Sequence, residues 1–248
     1  MNEESNKTIY LYGDEIGSVS LVDHMGTDLT IVNSARVSFG NQKTELNDKD
    51  RRLIKFLVKH KHTSTFEHNV ATFKFVVPLF VRSQHHRHRT WSYNEISRRY
   101  TEKNMDFYLP SSFRTQHRSN RQASNPNELI NPLMYSIDDG AMSHPNSSLK
   151  VSDYLEICTD KCLAAYKDFL AKGVCREQAR MILPQNLYTE YYGTCNLSNL
   201  LKFVDLRLHE GAQWEIQKVA EACLDIVSDL WPVAVGSYRR IKSGEETP

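Results

Sequence analysis

The sequence predicts a single α+β domain in which a mixed or antiparallel sheet packs against helices and the C-terminal half is helical. Strand-like runs of β-branched and aromatic residues lie in the first third of the chain, and from residue 152 onward apolar residues recur at helical spacing. Strands early and helices late are typical of an α+β fold rather than of alternating units around a parallel sheet. No glycine-rich phosphate loop follows a predicted strand, so a dinucleotide would have to be held by side chains.

The first half of the chain is predicted to contain two strands and three helices. Ser18 to Val22 alternates as a strand does, and Asn69 to Val77 is rich in β-branched and aromatic residues. Thr27 is a favourable helix N-cap, and Pro78 suits the first position of a helix. The predicted helices follow Thr27 as far as Ala35, run from Asp48 to about Lys59, and run from Leu79 to about His86.

Four further helices are predicted in the second half, after a long polar segment. Residues 111–151 lose all periodicity and contain Pro132, Gly140 and Pro145, which predicts a loop or insertion. Its basic residues, among them Arg114 and Arg121, could cover an anionic ligand, and a mobile solvated loop is the alternative. The helices are predicted from Ser152 to Gly173, from Arg176 to Ile182, from Asn199 to about Leu208 and from Gly211 to Leu230.

Composition limits the classes of function. The 248 residues include 31 Lys and Arg against 30 Asp and Glu, a formal net charge of +1, so any positive field must be local. No apolar run approaches the ~20 residues of a membrane helix, and the acidic start does not resemble a secretory signal. We expect a soluble, cytoplasmic protein. Among the five cysteines, Cys158 and Cys162 share a helix face and are predicted to be buried thiols rather than a metal pair.

The stretch from Gln84 to Tyr100 has the composition of an anion-binding site. It contains four arginines, three histidines and a single carboxylate, Glu95. The planar guanidinium group offers paired donors that match phosphate oxygens, so several in one place indicate a ligand with more than one phosphate or carboxylate. Glu95 is then an orienting hydrogen-bond acceptor. The alternative is a solvated basic strip on the surface.

The order of these residues resembles the flavin-dependent thymidylate synthases. Arg87-His88-Arg89 is followed after seven residues by Ser97, which is the spacing of that family. Five further blocks resemble the family in register, with Thr65 where proline is usual, and the resemblance covers about residues 17–112 and 152–241. The blocks are Ala35-Arg-Val-Ser-Phe39, His62-Thr-Ser-Thr-Phe-Glu-His68, Ala179-Arg-Met-Ile-Leu-Pro184, Asn186-Leu-Tyr188 and Ala212-Gln-Trp-Glu-Ile216.

The resemblance implies an activity, its cofactors and the residues that bind them. The expected reaction transfers a methylene group from 5,10-methylenetetrahydrofolate to dUMP and reduces it to a methyl group, with FAD carrying hydride from NADPH. It also implies a homotetramer with shared active sites. The implied flavin contacts are Ser64, Arg87, His88, Arg89, Glu95, Asn196, Leu197, Ser198 and Lys202. The implied nucleotide contacts are Gln84, His85, His86, Arg87, Glu95, Ile96, Ser97, Arg98, Arg99, Arg180 and Arg207.

Two of these roles concern catalysis. By resemblance, Arg207 lies beside the uracil ring and favours its ionised N3, and a fixed cation there would stabilise a developing anion. The alternative is a surface arginine neutralised by Asp205 or Glu210. Ser97 is predicted to hydrogen bond to the nucleotide rather than to act as a nucleophile, because no histidine is spaced to activate it. Two positions depart from the family pattern. Ser198 stands where arginine is common, and Lys202 stands where asparagine or histidine is common.

Three alternative functions are compatible with the sequence. The histidines His62, His85, His86 and His88 could be metal ligands, but no cysteine or suitably spaced acid completes a site, so we expect no metal. A single-stranded nucleic-acid-binding protein would use cations interleaved with stacking rings, and the near-zero net charge and Glu95 disfavour it. Its candidate residues are Arg89, Trp91, Tyr93, Arg98 and Tyr100. A flavoprotein with another substrate is the third.

Overall fold

The computed structural model describes residues 7–135 and 148–245, which form an α+β fold. The strands in this part of the chain are β1 (Thr8–Tyr10), β2 (Ser18–Met25), β3 (Val70–Pro78), β4 (Ser92–Glu95), β5 (Phe113–Gln116), β6 (Ser124–Ile130), β7 (Leu133–Tyr135), β8 (Ser148–Lys150) and β9 (Tyr188–Asn196). The α-helices are α1 (Asp28–Arg36), α2 (Asp48–Lys59), α3 (Leu79–His85), α4 (Val151–Ala171), α5 (Arg176–Ala179), α6 (Leu197–Arg207), α7 (Trp214–Leu230) and α8 (Pro232–Lys242).

The contacts divide the chain into two compact units that alternate along the sequence. Within the described residues, the first unit comprises 7–76, 84–95 and 190–245, and the second comprises 77–83, 96–135 and 148–189. The predicted α+β class, with an antiparallel sheet and a helical C-terminal half, is confirmed. The extent of one domain over residues 1–248 stays a prediction.

The principal sheet has the strand order β1-β2-β3-β9-β4. The pairs β1–β2, β2–β3 and β4–β9 are antiparallel, with a bulge between Leu21 and Asp23. Gly193 of β9 faces the rings of Phe75 and Trp91, because a Cβ atom there would lie 2.8 Å from Cε2 of Phe75. A glycine within a strand often marks such a close approach. The sequence predicted β2 and β3 but missed β1, β4 and β9.

Helices of the first unit cover this sheet and supply most of its core. The α7 helix packs on β2 and against α6 and α8, and its inward residues Ile216, Val219 and Ile226 are buried. The buried carboxylate of Asp28, in the first turn of α1, accepts hydrogen bonds from the N–H groups of Val233 and Ala234. Asp28 therefore caps α8, a helix that the sequence analysis missed.

The second unit is built on α4 and α5. The buried side chains of Tyr166, Ala179, Leu183 and Leu187 form its apolar core. The predicted helices from Ser152 to Gly173 and from Arg176 to Ile182 are confirmed, although α5 ends in a 3-10 turn at Arg180–Ile182. Cys158 and Cys162 of α4 are half-buried, not buried as predicted.

The prediction of a structureless loop over residues 111–151 is wrong for the described part of that segment. β5 pairs with β6, and β7 pairs with β8, both antiparallel. These strands are short and β5 and β6 are largely polar, so little in the local sequence indicates the pairing, whose hydrogen bonds come from the backbone of a partner strand. The predicted turn residues Gly140 and Pro145 lie outside the described residues. Among the helices that the structure describes, none has the length and apolarity to cross a bilayer.

Candidate active site

The arginine-rich stretch is anchored in the first unit by His85, the last residue of α3. His85 is fully buried, and its Nδ1 atom lies 2.8 Å from the hydroxyl of Tyr191 on β9. The rings of Phe75, Trp91 and Phe203 surround it, with centroids 4.6–4.7 Å away. Burial, and after it the nearby His88, His86 and Arg207, hold the pKa of His85 well below its ordinary value, so the ring is neutral. In this form, the side chain of His85 is not accessible to a nucleotide.

Tyr93 of β4 braces the turn that follows α3. Its hydroxyl donates to the carbonyl oxygens of His85 and His88, at 2.9 and 3.2 Å. Its ring packs on His86 with centroids 4.2 Å apart. Burial raises the pKa of the Tyr93 hydroxyl, which keeps the donor proton in place. The backbone from residue 85 to 88 is thereby held in one conformation.

Arg207, the last residue of α6, reaches this turn from 119 residues away. Its Nε donates to Nε2 of His88 at 3.0 Å, and its Nη2 donates to the carbonyl oxygen of Gln84 at 3.2 Å. Partial burial lowers the pKa of the guanidinium group, though not its charge at neutral pH. We call Gln84, His85, His88, Tyr93 and Arg207 the histidine–arginine cluster. The alternative was a surface arginine neutralised by Asp205 or Glu210; in the described chain Arg207 is half-buried and bonded to His88 and Gln84, and Asp205 contacts Tyr238 and Lys242.

The cluster is tethered to α7 through side-chain amides. The amide of Gln84 donates to the side-chain oxygen of Gln213, whose own amide donates to the buried carboxylate of Glu215 at 2.9 Å. Sequence reasoning gave Gln213 and Glu215 no role. They lie in the Ala212–Ile216 block, but nothing in their spacing indicates a partner in α3.

Arg87 and Arg89 project from the same turn and are exposed. Neither guanidinium group makes a hydrogen bond or ion pair within residues 7–135 and 148–245. Uncommitted guanidinium groups two residues apart are suited to a diphosphate, since each can donate two parallel hydrogen bonds. Ser64, in the 3-10 turn Thr63–Phe66, is exposed in the same unit, and Glu95 is half-buried opposite Tyr191.

The four predicted flavin contacts at the start of α6 differ in which atoms they expose to a ligand. The Asn196 side chain caps the helix by accepting from the N–H of Asn199 at 2.9 Å. Leu197 is fully buried, so it offers only its backbone to a ligand. Ser198 is buried, and its hydroxyl has no hydrogen-bond partner among the residues described. Lys202 is exposed, with its ammonium group 3.5 Å from Oδ1 of Asn199.

The other predicted nucleotide contacts, Ile96, Ser97, Arg98, Arg99 and Arg180, belong to the second unit. Arg98 is buried and donates to the carbonyl oxygens of Lys103, Asn104 and Tyr188, so its guanidinium group supports the backbone of that unit. Arg180 is exposed. These roles toward a nucleotide stay predictions.

Two further side chains of this unit bear on the same predictions. Arg99 lies 3.4 Å from the carboxylate of Glu177. The Ser97 hydroxyl accepts from the N–H of Arg99 at 3.3 Å, and no histidine in the described chain hydrogen bonds to it. An unactivated hydroxyl is a poor nucleophile, which favours a binding role for Ser97.

The alternative functions find little support. Trp91 is only 6% exposed, and its ring packs in the core of the first unit, so it is not available to stack on a base. The nucleic-acid-binding alternative therefore loses one of its three candidate stacking rings. Within the described ranges, no group of three or more histidine, cysteine or acidic side chains is placed to hold a metal ion.

The structure has an α+β fold in which an arginine-rich turn after α3 is joined to Arg207 at the end of α6. The chain belongs to the flavin-dependent thymidylate synthase family, since residues 20–233 match the family model described as thymidylate synthase complementing protein.

Relatives and solved structures agree with this assignment. Flavin-dependent thymidylate synthase from Thermus thermophilus is 42% identical over 222 residues, covering 90% of this chain and 75% of that protein. The enzyme of the same name from Thermotoga neapolitana is 38% identical over 216 residues, covering 87% and 88%. A crystal structure of the UMP/dUMP methylase PolB from Streptomyces cacaoi, bound with 5-Br dUMP, has a TM-score of 0.75 at 33% identity and covers 93% of this chain and 97% of that one.

Proposed function

We propose that this protein is a flavin-dependent thymidylate synthase that converts dUMP to dTMP. The carbon comes from 5,10-methylenetetrahydrofolate, and the reducing equivalents come from NADPH through FAD. The observation that carries the proposal is the position of Arg207, whose guanidinium group is held by His88 and by the Gln84 carbonyl oxygen. A cation fixed in this way can stabilise an anion without moving or losing a proton.

The side chains of the first unit suit a flavin dinucleotide. Arg87 and Arg89 are exposed and uncommitted within the described chain, which fits the diphosphate, and Ser64 and Glu95 offer a hydroxyl and an acceptor. Asn196, Leu197, Ser198 and Lys202 would add contacts from the start of α6, with Leu197 contributing its backbone. When bound, the flavin supplies the hydride that the reaction needs.

The nucleotide is assigned to residues around the same arginines. Arg207 would face the uracil ring and favour ionisation at N3, and the negative charge delocalised through the ring makes C5 a better nucleophile. Gln84, His86 and Arg87 would bind the rest of the nucleotide, and Arg99 and Arg180 stay predicted contacts of it. His85 can contribute only its backbone, because its ring is fully buried. Ser97 would donate a hydrogen bond.

Three finer properties belong to the same proposal. We propose that NADPH is the reductant, that the protein assembles as a homotetramer with shared active sites, and that it works in the cytoplasm. Methylenetetrahydrofolate is the expected carbon donor. Support comes from the family to which the chain belongs and from its +1 net charge, which gives no drive toward nucleic acid or membranes.

A tritium-release assay tests the function directly. Purified protein is expected to show flavin absorbance and to release tritium from 5-tritiated dUMP when the folate and NADPH are present, with dTMP as product. UMP is the matched control nucleotide, because a structural neighbour is a UMP/dUMP methylase. Product from UMP alone would redirect the proposal to a ribonucleotide methylase. A colourless protein that releases no tritium from either nucleotide would contradict it.

Arg207→Gln tests the residue that carries the proposal. The variant keeps an N–H donor near the position of Nε for His88 but loses the charge and the Nη2 donor to the Gln84 carbonyl oxygen, so we expect flavin binding to persist and turnover to fall by about 100-fold or more. Unchanged turnover would remove Arg207 from the mechanism.

A further inference from the structure

We propose that His88 is a positioning residue for Arg207, and that its uncharged ring aims the guanidinium group at the nucleotide. The inference rests on the proposed function and deepens it. Sequence resemblance assigns His88 to the flavin, whereas the structure places its Nε2 atom 3.0 Å from the Nε of Arg207. This contact gives His88 a task in the chemistry of the pyrimidine.

The hydrogen bond determines where the proton of His88 must be. Arginine Nε can only donate, so Nε2 of His88 must be the acceptor, and a neutral imidazole then carries its proton on Nδ1. Partial burial and the charge of Arg207 lower the pKa of His88 to about 4, which keeps the ring neutral at physiological pH. A protonated ring would instead present a donor to a donor and repel Arg207.

The acceptor is itself held in place. The His88 ring meets the Phe203 ring edge to face, with centroids 4.8 Å apart. Phe203 and Arg207 are four residues apart on α6, so one face of the helix both packs the imidazole and presents the guanidinium group. The His88 carbonyl oxygen accepts from Tyr93, which restrains the backbone as well.

The second acceptor is equally constrained. The carbonyl oxygen of Gln84 takes a hydrogen bond from Nη2 of Arg207, and the Gln84 side chain is tied through Gln213 to buried Glu215. Two acceptors on one braced turn define the plane of the guanidinium group. The Nη1 atom is bonded to neither acceptor, so its N–H groups are available to a ligand.

Holding Arg207 matters because a long side chain has many rotamers. Without the His88 acceptor, the half-buried guanidinium group could occupy more rotamers. Ordering it in the transition state would then cost additional conformational entropy. A displacement of about 1 Å can cost about 100-fold in rate. We therefore expect the loss of His88 to lower kcat more than it raises KM for dUMP.

The test is a double-mutant cycle on the flavin-loaded enzyme. His88→Leu removes the acceptor, and we expect kcat to fall by about 10–100-fold at full flavin occupancy. His88→Gln supplies an amide oxygen in place of Nε2 and should recover most of that loss. In the Arg207→Gln background, His88→Leu should cost less than about threefold more, since the residue acts through Arg207. His24→Gln, at an exposed histidine of β2, is the matched control.

Each outcome separates the inference from the proposed function. If His88→Leu lowers turnover equally with and without Arg207, His88 acts independently and the inference fails while the thymidylate synthase assignment stands. If Arg207→Gln has full activity, the proposed role of Arg207 is wrong, and the inference about His88 is wrong with it. Should His88→Leu not fold, nitrogen chemical shifts of the wild-type imidazole still decide the matter. A neutral ring protonated at Nδ1 near pH 7 supports the inference, and a charged ring or one protonated at Nε2 overturns it.

Discussion

Nδ1 of His85 and the hydroxyl of Tyr191 lie 2.8 Å apart inside the first unit, and solvent reaches neither side chain. His85 Nε2 has no hydrogen-bond partner among the residues described, so this contact is the one polar interaction shown for the ring. It joins the arginine-rich turn to the sheet strand β9. Tyr191 therefore helps to position His85, and with it the histidine–arginine cluster, through a hydrogen bond inside the protein.

Tyr191→Phe is expected to destabilise the protein by about 1–3 kcal/mol, because it leaves a buried acceptor or donor of His85 without a partner. The free energy of unfolding in urea measures the change. Tyr192→Phe, at the next and exposed position of β9, is the control and should cost less than about 0.5 kcal/mol. Equal effects at the two positions would show that the His85 contact contributes nothing.

The stability of the protein should fall as the pH drops below about 6.5. His85 and His88 have pKa values below the ordinary 6.5 when folded, with His88 at about 4, so between those values the unfolded state binds more protons. The free energy of unfolding therefore rises with pH in that window and is insensitive to these groups above it. Besides the two rings themselves, the charged or titratable groups shown against them are Arg207, His86, Tyr93 and Tyr191.

Urea unfolding at a series of pH values measures this dependence. His88→Gln should have a shallower slope by up to about one proton, since the amide does not titrate. His24→Gln should keep the wild-type slope, because His24 is exposed. A slope unaffected by His88→Gln would show that the imidazole is not held neutral by the fold.

Gly193→Ala should destabilise the sheet by about 1–3 kcal/mol through overpacking. The added Cβ would lie 2.8 Å from Cε2 of Phe75 and 3.3 Å from Cε3 of Trp91. Gly236→Ala in α8 is a matched control, since the nearest atom would be 3.9 Å away and alanine favours a helix by about 1 kcal/mol. The thermal midpoint should drop for the first variant and rise for the second; a tolerated Gly193→Ala would refute the close packing.

Asp28→Ala should cost about 2–3 kcal/mol, because it removes a carboxylate that accepts two N–H groups at the start of α8. Asp48→Ala, at the exposed first position of α2, is the comparison and should cost at most about 1 kcal/mol. Urea unfolding compares the two variants. Similar losses would mean that the Asp28 bonds add nothing beyond the favourable charge at a helix start.

Local signals allowed much of the fold to be predicted. Helix α2 has its predicted limits, because Asn47 caps it and its apolar residues repeat at helical spacing. Strand β3 ends at Pro78 as predicted. The missed elements have weaker local signals: β4 is polar, β9 is interrupted by Gly193, and β5 to β8 are held by backbone pairing. Strand pairing depends on a partner that composition does not reveal.

Motifs and periodicity are properties of residues that are neighbours along the chain, so the family, the α+β class and the concentration of arginine and histidine between Gln84 and Tyr100 could all be predicted without coordinates. The folded structure shows which of those side chains form contacts within the protein. It commits Arg98 to backbone carbonyl oxygens, buries His85 against Tyr191, and brings Arg207 to His88 across 119 residues. Such contacts depend on how helices and strands pack, and side-chain spacing along the chain does not encode them.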